Sequence, residues 1–194
     1  MPELVLSTRN EHKVREFSGL LPGWQVLPLP DEVVLPPETG ETFAENALVK
    51  ARTAAEATGM AAIADDSGIV AAALDGAPGV YSARYAGDDA SDEANLDKLI
   101  AEVAKTDDAT VEYVCAVAYV EPGGIEKVFE GRCGGTLLEE KRGEGGFGYD
   151  PAVLPDDYDD DRTMAQLTQE EKDAISHRGR AARDLLRWLD SLPA

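Results

Sequence analysis

Two adjacent carboxylates, Asp65 and Asp66, follow the short apolar run 61–64 and precede Ser67 and Gly68. A carboxylate at the carboxyl edge of a buried strand is held rigidly and faces the crevice where α/β proteins bind ligands. A metal ion or a reactive water can be bound at such a position. Because Asp, Ser and Gly also favour turns, the pair taken alone favours a simple turn, and the rest of the chain must decide.

A third carboxylate, Glu38, lies on a segment that could face the same crevice as Asp66. Oxygen ligands of this kind suit Mg²⁺. Two like charges about 4 Å apart repel by roughly 4 kcal/mol at an effective dielectric of about 20, and a bound polyphosphate increases that cost. A divalent cation and lysines are needed to turn this net repulsion into attraction. Lys13 and Lys50 are the candidates, since each carries a compact charge on a long stem.

The first predicted strand ends in a polar loop, residues 7–13, that leads into the N-terminus of a helix. Free backbone amides and the positive end of a helix attract an anion, so this loop suits phosphate. Thr8, Asn10 and Lys13 add side-chain donors. The loop lacks the Gly-Lys-Ser/Thr of a Walker A motif. Taken singly, Asn10 is better explained as a helix cap and Lys13 as a solvated helix residue.

A glycine-rich segment, residues 145–151, carries Phe147, Tyr149 and Asp150. An aromatic ring in such a loop can stack on a purine, because every base has a π face, and Asp150 could accept a hydrogen bond from a ring N–H. The alternative is a core aromatic in a tight turn. For Tyr149 the two interpretations are equally well supported.

His177 and Arg178 interrupt a helical pattern near the C-terminus. Backbone and side-chain donors at a helix break are free to meet an acceptor. An isolated dipeptide is weak evidence for a site, and an exposed surface pair is the default interpretation.

The elements that must position these residues alternate between strands and helices. Alternating or continuous apolar patterns predict strands at 3–8, about 24–29, 61–64, 69–74, 111–120 and 125–132. The last two strands flank Pro122-Gly123-Gly124 and should pair as a hairpin. A proline-rich connection, 28–37, is predicted to be a loop.

Helices are predicted from apolar stripes and from their end signals. Capping-box spacing at Thr42 and at Thr168 opens two of them, which end at about Thr58 and at Ile175. Ser91 caps another helix. The remaining helices carry apolar stripes around Phe17 and Leu185. The alternation predicts an α/β class with a mixed, twisted sheet flanked by helices.

The composition is that of a globular protein, with 194 residues, 43% hydrophobic and 29% charged. We expect a single domain over residues 1–194. No apolar run approaches the roughly 20 residues needed to cross a bilayer, and the N-terminus lacks the pattern of a secretory leader. We therefore expect a cytoplasmic protein without a membrane segment. Cys115 and Cys133 lack the spacing of a zinc site and are expected to be buried free thiols.

The chain carries 38 acidic and 18 basic residues, a formal charge of −20. Such a charge repels nucleic-acid backbones and anionic lipid surfaces, so polymeric nucleic acid is not an expected partner. A small anion still binds where a few lysines and amides converge. The acidic run 156–161 lacks the glycine and the distal glutamate of an EF-hand loop and is expected to be a solvated loop.

Taken together, these motifs resemble the inosine triphosphate pyrophosphatase family, in its bacterial branch of dITP/XTP pyrophosphatases. The segments that carry the resemblance are 8–13, 38–40, 43–47, 50–52, 64–68, 79–85, 145–151 and 175–179. They follow in order over nearly the whole chain, except for 107–136 and the acidic loop. The family glycine after the first threonine is Arg9 here, and the usual small residue before the loop lysine is His12.

The resemblance implies a Mg²⁺-dependent enzyme that cleaves a purine nucleoside triphosphate to the monophosphate and pyrophosphate, preferring inosine, deoxyinosine and xanthosine forms. It implies two lobes around a central substrate groove, and a homodimer. By the same likeness Asp66 activates water, and Glu38 and Asp66 lie near the metal. The residues implied to contact phosphate or sugar are Thr8, Arg9, Asn10, Glu11, His12, Lys13, Lys50 and Ser67. Those implied to contact the base are Phe147, Gly148, Tyr149, Asp150, Lys172, His177 and Arg178.

Three other functions are compatible with parts of this pattern. A Maf-type nucleotide pyrophosphatase would have a related architecture and a different base preference. A non-catalytic nucleotide-binding or sensing module would use the acids only as structural turns. An acidic cation-buffering protein would depend on the run 156–161 alone.

Overall fold

The computed structural model describes residues 1–192 of the chain. Within that range six strands form one sheet: β1 (Glu3–Leu6), β2 (Gln25–Pro28), β3 (Ala62–Ala71), β4 (Thr110–Val120), β5 (Glu126–Leu137) and β6 (Val153–Pro155). The α-helices are α1 (Glu11–Leu20), α2 (Phe43–Thr58), α3 (Asp92–Val103), α4 (Gln169–Ile175) and α5 (His177–Leu189). Short 3-10 turns cover Ala72–Leu74, Gly79–Arg84, Asp150–Ala152 and Met164–Gln166.

The strand order is β2-β1-β3-β4-β5-β6. β1 runs parallel to both β2 and β3, whereas β5 and β6 are antiparallel. β4 and β5 are neighbours joined by a turn in which the Glu121 amide donates to the Ile125 carbonyl at 2.9 Å. The predicted α/β class with a mixed sheet is confirmed, as is the hairpin. The short edge strand β6 was not predicted.

Strand β3 corrects one prediction from the sequence. We expected two separate strands, 61–64 and 69–74, with a turn at the aspartates as one alternative, but a single strand runs through Asp65, Asp66, Ser67 and Gly68 to Ala71. No turn is needed there because each carboxylate has a polar partner beside the strand. The parallel partner β1 ends at Leu6, opposite Ile63, so the aspartates lie just beyond the carboxyl end of β1.

The chain divides into two compact units. Unit 1 comprises Met1–Asp66, Cys115–Gly131 and the described part of Arg178–Ala194; unit 2 comprises Ser67–Val114 and Arg132–His177.

In unit 1 the strands bury side chains on both faces, which explains their continuous apolar runs. One face packs larger side chains against α1 and α5; its members include Leu4, Leu6, Ile63, Cys115, Phe17 and Leu185. The opposite face packs small side chains against α2; its members include Ala62, Ala64, Ala116, Ala118, Ala47, Ala51 and Ala54. Because alanine is short on both sides, the backbone of α2 approaches the sheet closely.

In unit 2 a separate core forms around helix α3. Its buried members include Ile69, Leu96, Leu99, Val111, Tyr113, Cys133, Tyr149 and Met164. Leu96 and Leu99 therefore mark the inward face of α3.

The predicted helix ends are also observed. Thr42 and Thr168 each form a complete capping box, and Gly59 ends α2 in the left-handed conformation with φ of 67°. Ser176 alone separates α4 from α5, so His177 and Arg178 open the last helix; both are buried, and the default interpretation as an exposed surface pair is wrong. Cys115 and Cys133 are buried free thiols, as predicted. Within residues 1–192 no helix has the length and apolar character needed to cross a bilayer.

Candidate active site

Asp65 and Asp66 point to opposite faces of β3, because successive side chains of a strand alternate. Asp66 shares the face of Ala62 and Ala64, against which α2 packs. Asp65 shares the face of Ile63, against which α1 and α5 pack. The two carboxylates therefore belong to different environments within unit 1.

The Asp66 carboxylate lies among side chains of α2 and of the loop that precedes it. Asn46 Nδ2 donates to Asp66 Oδ2 at 3.0 Å, and Lys50 Nζ lies 3.7 Å from Asp66 Oδ1. The same ammonium donates to Glu38 Oε1 at 2.6 Å. The structure thus brings together Glu38, Lys50 and Asp66, whereas Lys13, the other lysine predicted to neutralise these carboxylates, pairs with Asp65.

Burial and charge act together on this group. Burial raises the pKa of the Asp66 carboxyl, and the charge of Glu38 raises it further, although Lys50 and Asn46 act in the opposite direction. Burial lowers the pKa of Lys50, but the neighbouring carboxylates outweigh that effect, so its pKa is raised and the ammonium stays charged. Two carboxylates around one lysine leave net negative charge, which favours a further cation.

The donor set fits Mg²⁺, which prefers hard oxygen ligands. Glu38 and Asp66 place carboxylate oxygens 2.6 and 3.7 Å from the same ammonium nitrogen, so the two side chains lie close together. Residues 1–192 contain no group of three or more His, Cys, Asp and Glu side chains arranged around a metal position. Mg²⁺ does not need one, because it is usually bound by one or two carboxylates together with waters and substrate phosphates.

The Asp65 carboxylate is fully buried and holds two cations. Lys13 Nζ donates to Asp65 Oδ1 at 2.9 Å, and Arg178 donates to Oδ2 through Nε and Nη2 at 3.2 Å each. Arg178 also donates to Glu16 at 2.7 Å. Burial alone would raise the pKa of Asp65, but the charges of Lys13 and Arg178 outweigh it and hold that pKa far below its usual range. This network joins β3 to α1 and α5.

The rest of the predicted phosphate loop is placed as follows. Asn10 is the N-cap of α1, its Oδ1 accepting from the His12 amide at 2.9 Å, and Thr8 Oγ1 accepts from the Asn10 amide at 3.1 Å. Glu11 is exposed at the start of α1. Arg9 donates to four carbonyls of the segment 29–33 at 2.6 to 3.2 Å. Arg9 therefore anchors the chain that leads toward Glu38.

In unit 2 the predicted base-binding residues gather around Asp150. Its carboxylate accepts from the Tyr113 hydroxyl at 2.9 Å, from Lys172 Nζ at 2.6 Å and from the Phe147 amide at 3.0 Å. Asp150 is buried. It thus fixes the glycine-rich loop and the Lys172 ammonium in place.

The aromatic residues of this loop have different environments. Phe147 is 49% exposed, and the Lys172 ammonium lies 4.7 Å from the centre of its ring. Tyr149 is buried in the core of unit 2 and donates to the Ser82 carbonyl at 2.7 Å. The Gly148 amide between them donates to Asp92 at 3.0 Å. Of the two rings, that of Phe147 is therefore the exposed one.

His177 belongs to unit 2 and Arg178 to unit 1. The imidazole of His177 is buried and stacks on the Tyr113 ring, with centroids 4.9 Å apart and planes 11° from parallel. Arg178 belongs to unit 1, in the Asp65 network. Ser67, the residue after Asp66, is partly buried in β3.

Sequence reasoning did not assign three residues that the structure places here: Asn46, Tyr113 and Glu16. Asn46 had a usable signal, because it is a polar residue within the buried stripe of α2 that includes Ala47, Lys50 and Ala51. Tyr113 lies in a strand whose sequence is typical of a continuous core. Glu16 has the pattern of a solvated helix residue. Neither pattern distinguishes a site residue.

The chain is similar in sequence to known proteins over nearly its whole length. The sequence profile of the Ham1 family matches residues 4–188. A relative from Geobacter sulfurreducens named dITP/XTP pyrophosphatase is 47% identical over 197 residues, covering 97% of this chain and 98% of that protein. A relative of the same name from Desulfotalea psychrophila is 42% identical over 205 residues, covering 98% of this chain and 89% of that protein.

Solved structures show the same fold. A HAM1 protein from Coxiella burnetii superposes with a TM-score of 0.91 at 39% identity, covering 99% of this chain and 100% of that one. A nucleoside-triphosphatase, or dITP/XTP pyrophosphatase, from Mycobacterium abscessus has a TM-score of 0.78 at 43% identity, covering 95% and 98%. The resemblance seen in the motifs is confirmed, and the chain belongs to the Ham1 family.

Proposed function

We propose that this protein hydrolyses non-standard purine nucleoside triphosphates, namely ITP, dITP and XTP, to the monophosphate and pyrophosphate. The observation that carries the proposal is the position of Asp66 beside Glu38 and Lys50, two carboxylates around one ammonium. Full-length relatives named dITP/XTP pyrophosphatase support the choice of reaction and substrate.

The proposed cofactor is Mg²⁺, held by Glu38 and Asp66. When bound, it would neutralise charge on the phosphates and on the departing pyrophosphate. Lys50, already fixed between the two carboxylates, adds a positive charge that the protein supplies itself. Positioning and electrostatics account for most of the catalysis in phosphoryl transfer.

Asp66 is the proposed base. Its carboxylate accepts a proton from a water that attacks the α-phosphorus, and the bond from that phosphorus to the bridging oxygen breaks to release pyrophosphate. Phosphate and sugar contacts are assigned to the segment Thr8–Lys13, Lys50 and Ser67. The N-terminus of α1, capped by Asn10, adds backbone amides that suit an anion.

Base recognition is assigned to the Asp150 group of unit 2, with His177, and to Arg178. Inosine and xanthosine present an acceptor oxygen at C6, where adenine presents an amino donor. If donors in this group meet that oxygen, adenine leaves them unpaired at roughly 1–3 kcal/mol each. Sites built on such bonds reject an analogue by up to about 10⁴-fold. The exposed ring of Phe147, beside the Lys172 ammonium, would stack on the purine.

We further propose a homodimer in the cytoplasm, with the whole chain acting as one catalytic domain, on the basis of the family resemblance. Light scattering of the purified protein would measure the dimer directly. A monomer at the concentrations where activity is full would refute that part of the proposal.

The experiment that tests the reaction is a pyrophosphate-release assay with and without Mg²⁺ on ITP, dITP, XTP, GTP, ATP and dUTP. The proposal expects Mg²⁺-dependent release from the first three. In oxygen-18 water the label should enter the monophosphate; label found only in pyrophosphate would move the attack to the β-phosphorus. A different base preference would favour a Maf-type enzyme. Stoichiometric ITP binding without release would favour a binding module.

A further inference from the structure

Asn46 connects the Asp66 carboxylate to the turn that follows Glu38. It is the fourth residue of α2 and is only 3% exposed. Its Nδ2 donates to Asp66 Oδ2 at 3.0 Å, and its Oδ1 accepts from the Gly40 amide at 2.8 Å. One side-chain amide therefore joins the helix, strand β3 and the loop.

The contacts demand an asparagine at this position. A donor and an acceptor are both used, so aspartate would keep the bond to Gly40 and lose the bond to Asp66, while alanine would lose both. The fit is close, because a Cβ added at Gly40 would lie 2.7 Å from Asn46 Oδ1 and 2.9 Å from Glu45 Cβ. The turn therefore packs directly on the start of α2.

Asn46 gives the two oxygens of Asp66 different partners. Since Oδ2 is engaged by Asn46, Oδ1 is the oxygen that lies toward Lys50, at 3.7 Å. The same amide fixes Gly40, two residues after Glu38. Asn46 thus constrains the carboxylate orientation at Asp66 and the path of the chain at Glu38.

We propose that Asn46 is a positioning residue that sets the two carboxylates, Glu38 and Asp66, in the arrangement that binds a divalent cation. The inference rests on the proposed function for the role of that cation in turnover. The orientation of the Glu38 and Asp66 side chains by Asn46 does not depend on that function. Groups that orient metal-binding side chains typically change metal affinity or activity by about 10- to 100-fold when removed.

The chain contains a matched control in Asn95. It is the fourth residue of α3, is 1% exposed, accepts from the Ala86 amide at 2.7 Å and donates to the Ala83 carbonyl at 3.1 Å. It ties a turn to the start of a capped helix, as Asn46 does, but its donor meets a backbone carbonyl and no carboxylate. Replacing Asn95 therefore reproduces the structural cost without touching the carboxylates.

The test compares Asn46→Ala and Asn46→Asp with Asn95→Ala and Asn95→Asp. Urea unfolding gives the folded fraction, steady-state kinetics with ITP separate kcat from KM, and electron paramagnetic resonance follows Mn²⁺ titrated into the protein without nucleotide. We expect Asn46→Ala to weaken Mn²⁺ binding and lower kcat by about 10- to 100-fold each. Asn46→Asp should lower kcat likewise, because it lacks the donor to Asp66. The Asn95 variants should keep the wild-type Mn²⁺ affinity and kcat per folded molecule.

The outcomes are separable. If the Asn46 variants keep wild-type Mn²⁺ affinity and kcat, or if the Asn95 variants lose as much, the positioning role is refuted and the proposed function stands. If the wild-type protein releases no pyrophosphate, the proposed function fails, while the Mn²⁺ titration still decides the role of Asn46. Should Asn46→Ala not fold, Asn46→Asp decides through kcat, because its added carboxylate would itself attract Mn²⁺.

Discussion

Asp65 and Asp66 are neighbours in the chain, yet their carboxylates lie on opposite faces of β3 and have separate partners. Asp65 binds Lys13 and Arg178, whereas Asp66 accepts from Asn46 and faces Lys50. The alternation of a strand is enough to produce this division. One aspartate therefore holds the protein together and the other is available for chemistry.

Replacing Asp65 should chiefly affect stability. In Asp65→Asn the buried guanidinium of Arg178 loses the charged partner to which it donates through Nε and Nη2, and breaking a buried ion pair in this way costs about 3–5 kcal/mol. Urea unfolding monitored by circular dichroism measures the loss in free energy of unfolding. A loss below about 1 kcal/mol, the range of an exposed pair, would contradict the structural role of Asp65.

Replacing Asp66 should chiefly affect turnover. Asp66→Asn removes the proposed base while Asn46 and Lys50 keep polar partners, so the protein should remain folded and bind ITP. We expect kcat to fall by at least about 10²-fold, the usual contribution of a general base. Steady-state kinetics and isothermal titration with ITP separate the two effects. Near-normal kcat would exclude Asp66 as base or metal ligand.

The strands and several helix ends were predicted correctly from the sequence, whereas the length of the strand that contains Asp65 and Asp66 was not. The alternation of apolar residues predicted the strands, and Thr42, Gly59 and Thr168 predicted helix ends, because those signals are local. The prediction for β3 was wrong, because Asp65 and Asp66 are stabilised within the strand by Lys13, Lys50 and Arg178. Those partners are distant in sequence, so no local pattern reveals that two aspartates can remain within a strand.

The candidate site shows the same limit. Charge predicted that Glu38 and Asp66 would lie beside a lysine, but it did not choose between Lys13 and Lys50, and the structure places Lys50 there. The contacts of Arg9 with the segment 29–33 and of Arg178 with Asp65 depend on tertiary structure. Residue type predicts that an arginine binds an acceptor but does not identify the acceptor.

Removal of divalent metal should abolish turnover, and Glu38→Gln should raise the Mg²⁺ concentration that gives half-maximal rate by about 10- to 100-fold. The reason is the loss of one of the two carboxylates around Lys50. The measurement is the rate of pyrophosphate release as Mg²⁺ is titrated into metal-free protein. Glu41→Gln, an exposed acid three residues away, is the control and should leave the Mg²⁺ dependence unchanged. Full activity in excess EDTA would contradict the metal assignment.

The Cys115 thiol should be inert in the folded protein. Burial raises its pKa to about 12, and the Asp65 charge contributes in the same direction. Below that pH the group stays protonated, and the thiolate is the form that reacts with alkylating agents. Iodoacetamide at pH 8 should therefore modify Cys115 only after unfolding in urea, as read by mass spectrometry of the peptides. Rapid alkylation in the native state would contradict its burial.

Mg²⁺-dependent hydrolysis that selects inosine over adenine is tested most sharply by the ratio of kcat/KM for ITP to that for ATP at saturating Mg²⁺. We expect a ratio of about 10² to 10⁴, because adenine would leave buried donors unpaired, and we expect the Asp66→Asn variant to lose turnover of both substrates. A ratio near one, or no Mg²⁺-stimulated release of pyrophosphate from ITP, would contradict it.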